Sequence, residues 1–149
     1  MTIIKYYESS NQSYWLDEIG KCDWVAARFL ANLLRNDSLK STCGSSADVL
    51  VLAQGDELIS FCTIAEQDEV CAPEMTPWVG FVFTKAEHRG KRYAGKLLEY
   101  ACNEALLRGY KSVYLSTDAV GLYEKYGFDY IGDMTDIHGN PTRVYERRV

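Results

Sequence analysis

Residues 88–96 form a basic, glycine-containing segment with the sequence His88-Arg89-Gly90-Lys91-Arg92-Tyr93-Ala94-Gly95-Lys96. An apolar run at 78–84 precedes it, and an amphipathic pattern from Ala94 to about Leu107 follows it, so we expect a turn between a buried strand and a helix. The first backbone N–H groups of a helix lack intrahelical acceptors, and the helix dipole favours negative charge there. Because the segment carries four cationic side chains and no carboxylate, it predicts a binding site for a phosphate or pyrophosphate group.

Two common phosphate-binding patterns do not describe this segment. A P-loop needs Ser or Thr directly after its Gly-Lys pair, whereas Leu97 follows Lys96. The dinucleotide pattern Gly-x-Gly-x-x-Gly is broken by Lys91 and Arg92. We therefore expect neither a P-loop nor a Rossmann-type dinucleotide site.

The segment resembles the acyl-coenzyme A loop of the GNAT-type N-acetyltransferase superfamily. The family pattern, Gln/Arg-x-x-Gly-x-Gly/Ala, is matched by Arg89-Gly90-Lys91-Arg92-Tyr93-Ala94, in which Arg92 replaces the usual middle glycine. A second segment, Leu122-Tyr123-Glu124-Lys125-Tyr126-Gly127-Phe128, resembles the late LYEKxGF helix of the same family. Two motifs in the family's order are more specific than either alone. Together they cover about the second half of the chain.

The resemblance implies an enzyme that moves an acetyl group from acetyl-CoA to a primary amine of a small molecule or peptide by direct transfer. An alternative that the same motifs allow is a non-catalytic acyl-CoA-binding module. Contact with nucleic acid through the basic segment is a third hypothesis, but the net charge of −5 argues against it. Because GNAT-type proteins are often dimers, a homodimer is a further expectation.

The resemblance also assigns residues to the cofactor. The strand at 81–83 would pair through its backbone with the pantetheine arm, and the N–H groups from Gly90 to Gly95 would hold the pyrophosphate. Gly80 either marks a bulge in this strand or makes room for a neighbouring side chain, and the sequence leaves both readings open. The residues expected to bind the cofactor are Phe81, Val82, Phe83, Arg89, Gly90, Lys91, Arg92, Tyr93, Ala94 and Gly95.

By the same resemblance, Tyr123 is the tyrosine that the family uses to protonate the departing thiolate. A tyrosine has a reference pKa near ~10 and a thiol near ~8.5, so transfer from an unperturbed tyrosine is uphill by roughly 2 kcal/mol. Tyr123 would then either donate a strong hydrogen bond or have a lowered pKa. Tyr126, three residues later, is the alternative on the same helical face.

The general base is expected among the carboxylates that precede the cofactor strand, which are Glu66, Asp68, Glu69 and Glu74. Glu74 is the first candidate because it lies nearest to that strand in sequence, and Glu66 is the second. Taken singly, each of them is more often a solvated loop residue, and a chain of waters can take the proton instead. The two histidines and five cysteines lack metal-ligand spacing, so we expect no metal.

Length and composition indicate an ordinary globular chain. Its 149 residues, with 47% hydrophobic and 25% charged side chains, suggest a single domain over residues 1–149. No apolar run reaches the length of a membrane span, and the N-terminus lacks the layout of a signal peptide. Five cysteines, an odd number without C-x-x-C spacing, indicate a chain without disulfides, so we expect a cytoplasmic protein without a membrane partner.

Hydrophobic periodicity predicts the elements of the first half. Apolar residues at helical spacing indicate a helix from Trp24 to about Leu34 with Asp23 as its N-cap, after a weaker helical turn at 14–19. The segment 38–46 is expected to be a loop. A run that is apolar on both faces, Val49–Ala53, indicates an inner strand, which a Gly55-Asp56 turn joins to an antiparallel partner at 58–65.

The second half continues with a strand at Lys111–Ser116 and a short helix. Asp118 would cap this helix, Gly127 would end it, and Leu122 would pack against Phe128 across the end. Two final strands are expected at 130–137 and 142–147. The order β-α-α-β-β-β-α-β-α-β-β predicts an α/β (α+β) fold, with a GNAT-like central mixed, mostly antiparallel sheet and helices on both faces.

Overall fold

The computed structural model describes residues 1–149, which form seven strands and four α-helices. The strands are β1 (Thr2–Lys5), β2 (Asp48–Gln54), β3 (Glu57–Ala65), β4 (Trp78–Thr84), β5 (Ser112–Thr117), β6 (Asp129–Thr135) and β7 (Pro141–Arg148). The helices are α1 (Gln12–Gly20), α2 (Val25–Arg35), α3 (Leu39–Cys43) and α4 (Tyr93–Leu107). Short 3₁₀ turns lie at Tyr6–Glu8, Ala86–His88 and Tyr123–Tyr126.

The seven strands form one sheet in the order β1-β2-β3-β4-β5-β7-β6. All neighbours are antiparallel except β4 and β5, which run parallel and pair only at Trp78 and Tyr114. The N–H of Tyr114 donates to the Pro77 carbonyl oxygen over 3.0 Å at this point. Beyond it the two strands separate, so the sheet opens into a wedge toward the C-terminal end of β4.

Helices cover both faces of the sheet, as the sequence predicts. Trp15 and Ile19 of α1 and Leu30 of α2 pack on one face, in a core cluster that includes Phe61 of β3. Helix α4 packs on the other face, and its apolar stripe joins a second cluster that includes Cys62, the next residue of β3. Since side chains alternate across a strand, Phe61 and Cys62 mark the two faces, and we refer to them below as the α1/α2 face and the α4 face.

The β2–β3 hairpin and helix α4 confirm the local predictions. Gln54 pairs with Glu57 across the two-residue turn, and Gly55 takes the positive φ of 59° that this turn requires. Helix α4 ends where Gly109 adopts a φ of 88°. There the N–H of Tyr110 donates to the Ala105 carbonyl oxygen over 3.0 Å, which satisfies the last turn.

Two local predictions in the first half are wrong. The expected loop at 38–46 contains the short helix α3, whose Leu39 is fully buried. Helix α2 starts after Trp24, without a side-chain cap, so Asp23 is not its N-cap. Burial of the α2 apolar face against the sheet, rather than capping, therefore stabilises this helix.

The late helix is a single 3₁₀ turn that starts after Leu122, so Asp118 does not cap it. Its end forms as expected, because Gly127 adopts a φ of 83° and the N–H of Phe128 donates to the Tyr123 carbonyl oxygen over 3.3 Å. Leu122 is exposed, and the ring that meets Phe128 across this end is that of Tyr123.

No helix of the chain is long and apolar enough to cross a bilayer.

Candidate active site

Strand β4 contains a bulge at the mouth of the wedge. Phe61 pairs with Phe83 and Thr63 pairs with Gly80, so two steps along β3 correspond to three along β4. Phe81 absorbs the extra residue with a φ of 49°, a value that L-residues rarely adopt. A bulge of this kind leaves the extra residue unpaired and takes its backbone groups out of the β3–β4 ladder.

Gly80 meets both expectations raised by the sequence. It lies directly before the bulge, and it also makes room for a side chain, because a Cβ placed on it would lie 2.5 Å from Oδ1 of Asp68. Any larger residue at position 80 would displace that carboxylate. The absence of a side chain at Gly80 therefore allows the loop at 66–76 to contact β4 closely.

The basic segment forms a tight turn that leads into α4. Gly90 has a φ of 80° and Arg92 a φ of 61°, so Arg92 adopts the left-handed conformation that suits the glycine it replaces. No backbone carbonyl accepts a hydrogen bond from the N–H groups of residues 90–94, whereas Gly95 donates to the Arg92 carbonyl oxygen over 3.1 Å. Five consecutive donors at a helix N-terminus form a concave site that suits an anion.

Contacts with aromatic rings hold the cations of this turn. Nε of Arg89 donates to the Thr84 carbonyl oxygen over 2.9 Å, and its guanidinium lies 5.4 Å from the ring centre of Phe83. The Arg92 guanidinium lies 5.0 Å from the ring centre of Tyr126. These contacts place positive charge around the free N–H groups while leaving Arg89, Lys91 and Arg92 exposed.

A cavity of about 540 Å³ adjoins the turn, between the N-terminus of α4 and the 3₁₀ turn at 123–126. Its lining carries five cations and one carboxylate, in the set Lys91, Arg92, Gly95, Lys96, Glu99, Lys125, Tyr126, Gly127 and Arg147. Glu99 is already neutralised, because it accepts two hydrogen bonds from Arg147 at 2.7 and 3.1 Å. The cavity is therefore strongly cationic.

Tyr123 lies buried on the α4 face, between the rings of Phe128 and Tyr145. Burial, and to a lesser extent Cys62 and Tyr126, raise its pKa to about 12. Cys62 is the β3 residue between the two register pairs that flank the bulge, so Tyr123 approaches the bulge from the α4 face. Tyr126 instead packs against Gly95, where a Cβ would lie 2.5 Å from its Cε1 atom.

The carboxylates before β4 lie in different environments. Glu74 is exposed in a turn. Glu66 accepts hydrogen bonds from the Ser46 hydroxyl at 2.7 Å and from its N–H. Glu69 accepts from the Ser116 hydroxyl at 2.9 Å. Asp68 alone contacts β4 beside the bulge, and burial raises its pKa to about 6.

The chain matches the sequence profile described as the acetyltransferase (GNAT) family over residues 5–128. It belongs to the GNAT acetyltransferase family. It is similar in fold to the crystal structure of aminoglycoside 6'-acetyltransferase type Ii, with a TM-score of 0.75, 16% identity, and coverage of 99% of this chain and 97% of that chain. No curated protein sequence matches the chain.

Two further structures that are similar to this GNAT acetyltransferase contain a cofactor. An aminoglycoside 6'-N-acetyltransferase complexed with coenzyme A aligns with a TM-score of 0.73 and 14% identity, over 99% of this chain and 97% of that chain. A GNAT family acetyltransferase from Elizabethkingia anophelis with acetyl-CoA bound aligns with a TM-score of 0.69 and 14% identity, over the same shares. The GNAT fold thus extends over almost the whole chain.

The structure places the residues that the sequence singles out on neighbouring elements. The bulge at Phe81 lies on β4 and the free N–H groups of residues 90–94 follow that strand, while Tyr123 lies on the α4 face in the same core cluster as Cys62 of β3. Glu74 is exposed in a turn, whereas Asp68 contacts β4 at Gly80. Distance along the sequence ranked Glu74 first, and the one available signal for Asp68 was Gly80, whose missing side chain makes room for it.

Proposed function

We propose that this GNAT acetyltransferase transfers the acetyl group of acetyl-CoA directly to a primary amine of a small molecule or peptide. The observation that carries the proposal is the β4 bulge at Phe81, which lies at the mouth of the β4–β5 wedge. The anion-binding turn at residues 90–94 follows the same strand in the chain, after the short 3₁₀ turn at Ala86–His88. This arrangement suits a ligand that has a phosphate group at one end and a reactive carbonyl at the other.

The residues present fit coenzyme A. The free N–H groups of residues 90–94 suit its pyrophosphate, and Arg89, Lys91 and Arg92 add charge around them. The backbone of Phe81, Val82 and Phe83, at the edge of the wedge, suits the amide groups of the pantetheine arm. Coenzyme A and acetyl-CoA in two structural neighbours support this assignment. Bound acetyl-CoA supplies an activated thioester carbonyl.

The chain's own groups would act at three points. A backbone N–H released by the bulge at Phe81–Val82 would donate to the oxyanion that develops on the carbonyl. Tyr123 would donate a hydrogen bond to the departing sulfur. With a pKa of about 12 for Tyr123 against a thiol near ~8.5, complete proton transfer would be uphill by ~5 kcal/mol. Hydrogen bonding rather than full donation is therefore the role that we assign to it.

The acceptor is proposed to be a cationic amine, such as a polyamine, an amino sugar or a lysine side chain. The loop at 66–74 contains four carboxylates, Glu66, Asp68, Glu69 and Glu74, and negative charge there favours a cation. The names of two structural neighbours, both aminoglycoside acetyltransferases, support an amino sugar. Residues 1–149 would act as one domain, in the cytoplasm in keeping with five free thiols, and a homodimer stays a proposal.

Release of free thiol from acetyl-CoA tests this function. The purified protein is assayed with spermidine, glucosamine and a lysine-containing peptide as acceptors. We expect turnover with at least one of them, and Tyr123→Phe should lower kcat by about 10²-fold without changing acetyl-CoA affinity. Tyr110→Phe is the matched control, since Tyr110 follows the far end of α4 and should leave kcat unchanged. Saturating acetyl-CoA without any thiol release would contradict the proposal.

A further inference from the structure

The side chain of Asp68 packs against strand β4, although Asp68 belongs to the loop that precedes this strand. Its Oδ1 atom and Cγ would lie 2.5 and 3.2 Å from a Cβ on Gly80, so the carboxylate rests directly on the backbone of β4. The Thr63 hydroxyl would lie 3.3 Å from the same Cβ. The next residue along β4 is Phe81, where the bulge begins. Asp68 is thus held one residue from the backbone that would face the reacting carbonyl.

Asp68 and Tyr123 reach the bulge from opposite faces of the sheet. Thr63, which lies next to Asp68, points to the same face as Phe61, because both are odd-numbered positions of β3, and Phe61 belongs to the α1/α2 core. Tyr123 belongs to the α4 core together with Cys62. An acyl transfer needs one group beside the attacking nitrogen and another beside the departing sulfur. Asp68 on one face of the sheet suits the nitrogen, and Tyr123 on the other face suits the sulfur.

The electrostatic surroundings of Asp68 also differ from those of a structural carboxylate. Burial and the negative charge of Glu69 raise the pKa of Asp68, and a hydrogen bond from the Glu69 N–H lowers it. No Lys or Arg contributes to the shift. In α3, burial raises the pKa of the Cys43 thiol to about 11, and the negative charges of Asp68 and Glu66 add to this shift. A carboxylate that has only acidic neighbours and no cationic partner costs stability, which favours a role in function over one in folding.

We propose that the Asp68 carboxylate accepts a proton from the acceptor's amine, directly or through one water, as the nitrogen attacks the acetyl carbonyl. This inference rests on the proposed acetyl transfer. A C–N bond forms and the C–S bond of the thioester breaks. The bound ammonium loses two protons, one of which reaches the thiolate, while the other leaves through Asp68 to solvent. The products are the acetylated amine, the free thiol of coenzyme A and one proton.

The expected pH dependence follows from the pKa of Asp68, which is about 6. The group is ionised, and able to accept a proton, above this pH. The rate constant kcat/KM should therefore fall as the pH drops through about 6. The groups that face Asp68 from its own loop and from α3 are Glu69, Glu66 and Cys43, and the neighbouring β3 and β4 residues, Thr63 and Gly80, do not titrate.

The test measures kcat/KM against pH for the full chain and for Asp68→Asn, with the three amines named above. We expect Asp68→Asn to lower kcat/KM by roughly 10²–10³-fold and to abolish the acidic limb. Acetyl-CoA affinity should stay within about twofold, and the melting temperature should not fall, which separates a chemical role from a structural one. Asp129→Asn, an exposed carboxylate at the start of β6, is the matched control and should behave as wild type.

Each alternative outcome has a distinct meaning. Wild-type-like rates and pH profile in Asp68→Asn, with an active wild type, would overturn the role of Asp68 and leave the acetyl transfer intact. Loss of the acidic limb in Glu74→Gln instead of Asp68→Asn would assign the base to Glu74. An inactive wild type that binds acetyl-CoA would overturn the proposed function and this inference with it.

Discussion

Replacing Arg92 by glycine and, separately, by alanine tests the conformation of the anion-binding turn. Arg92 has a φ of 61° and a ψ of 28°, and left-handed backbone costs an L-residue roughly 1–2 kcal/mol. Both substitutions remove the guanidinium from the ring of Tyr126, an exposed contact at 5.0 Å worth about 0.5–1 kcal/mol. The two variants therefore differ only in backbone terms.

Arg92→Gly removes the left-handed penalty but adds about 0.5–1 kcal/mol of backbone entropy to the unfolded chain. Arg92→Ala keeps the penalty. The difference in free energy of unfolding should favour the glycine variant by about 0.5–1 kcal/mol. For a chain of this length that corresponds to a melting temperature about 2–3 °C higher than for the alanine variant, measured by thermal denaturation.

The control pair is Arg28→Gly and Arg28→Ala, at an exposed position inside α2. Glycine is less favourable than alanine in a helix interior by about 1 kcal/mol, so the order of the two melting temperatures should invert. An Arg92→Gly variant that is no more stable than Arg92→Ala would refute the left-handed turn. It would also remove the basis for grouping the five N–H donors around one anion.

Three further predictions concern close contacts and pH. Gly95→Ala forces a Cβ to 2.5 Å from Cε1 of Tyr126, so it should lower the free energy of unfolding by ~1–3 kcal/mol and weaken acetyl-CoA binding in a calorimetric titration. Gly80→Ala displaces the Asp68 carboxylate, so thiol release should fall while acetyl-CoA affinity holds. Because folding raises the pKa of Asp68 from its ordinary value of 3.8 to about 6, its ionisation lowers the stability of the fold as the pH rises from about 4 to about 6, and the loss persists above that range. Urea unfolding should therefore show Asp68→Asn more stable than wild type at pH 7, by up to about 3 kcal/mol, and equal to it near pH 4; equal stability at both pH values would contradict the raised pKa.

Local pattern predicted the secondary structure well where the signal is short-range. The β2–β3 turn, the strand at 78–84 and the C-terminal end of α4 depend on periodicity and on glycines at positive φ, which act within a few residues. The predictions failed where tertiary contact outweighs local preference. Helix α2 starts after Trp24 and has no side-chain cap from Asp23. Packing of the apolar face of α2 stabilises this helix more than a cap would.

The cofactor half of the candidate site could likewise be anticipated from sequence. The free N–H groups of residues 90–94 belong to one continuous turn, and their cations are neighbours along the chain. The Phe81 bulge could be foreseen only as one of two meanings of Gly80. In the structure Gly80 has both, since the bulge begins at the next residue and the Asp68 carboxylate rests on its backbone.

What the sequence determined by itself was the order of the seven strands, the basic turn before α4 and the glycine that ends the late turn, because each depends on residues that are adjacent in the chain. The tertiary structure alone decided which carboxylate meets β4 and how strongly Tyr123 holds its proton. Asp68 reaches Gly80 through a loop that returns to the sheet, and the pKa of Tyr123 depends on burial among side chains from distant elements. Neither quantity is local, since burial and charge act through space rather than along the chain.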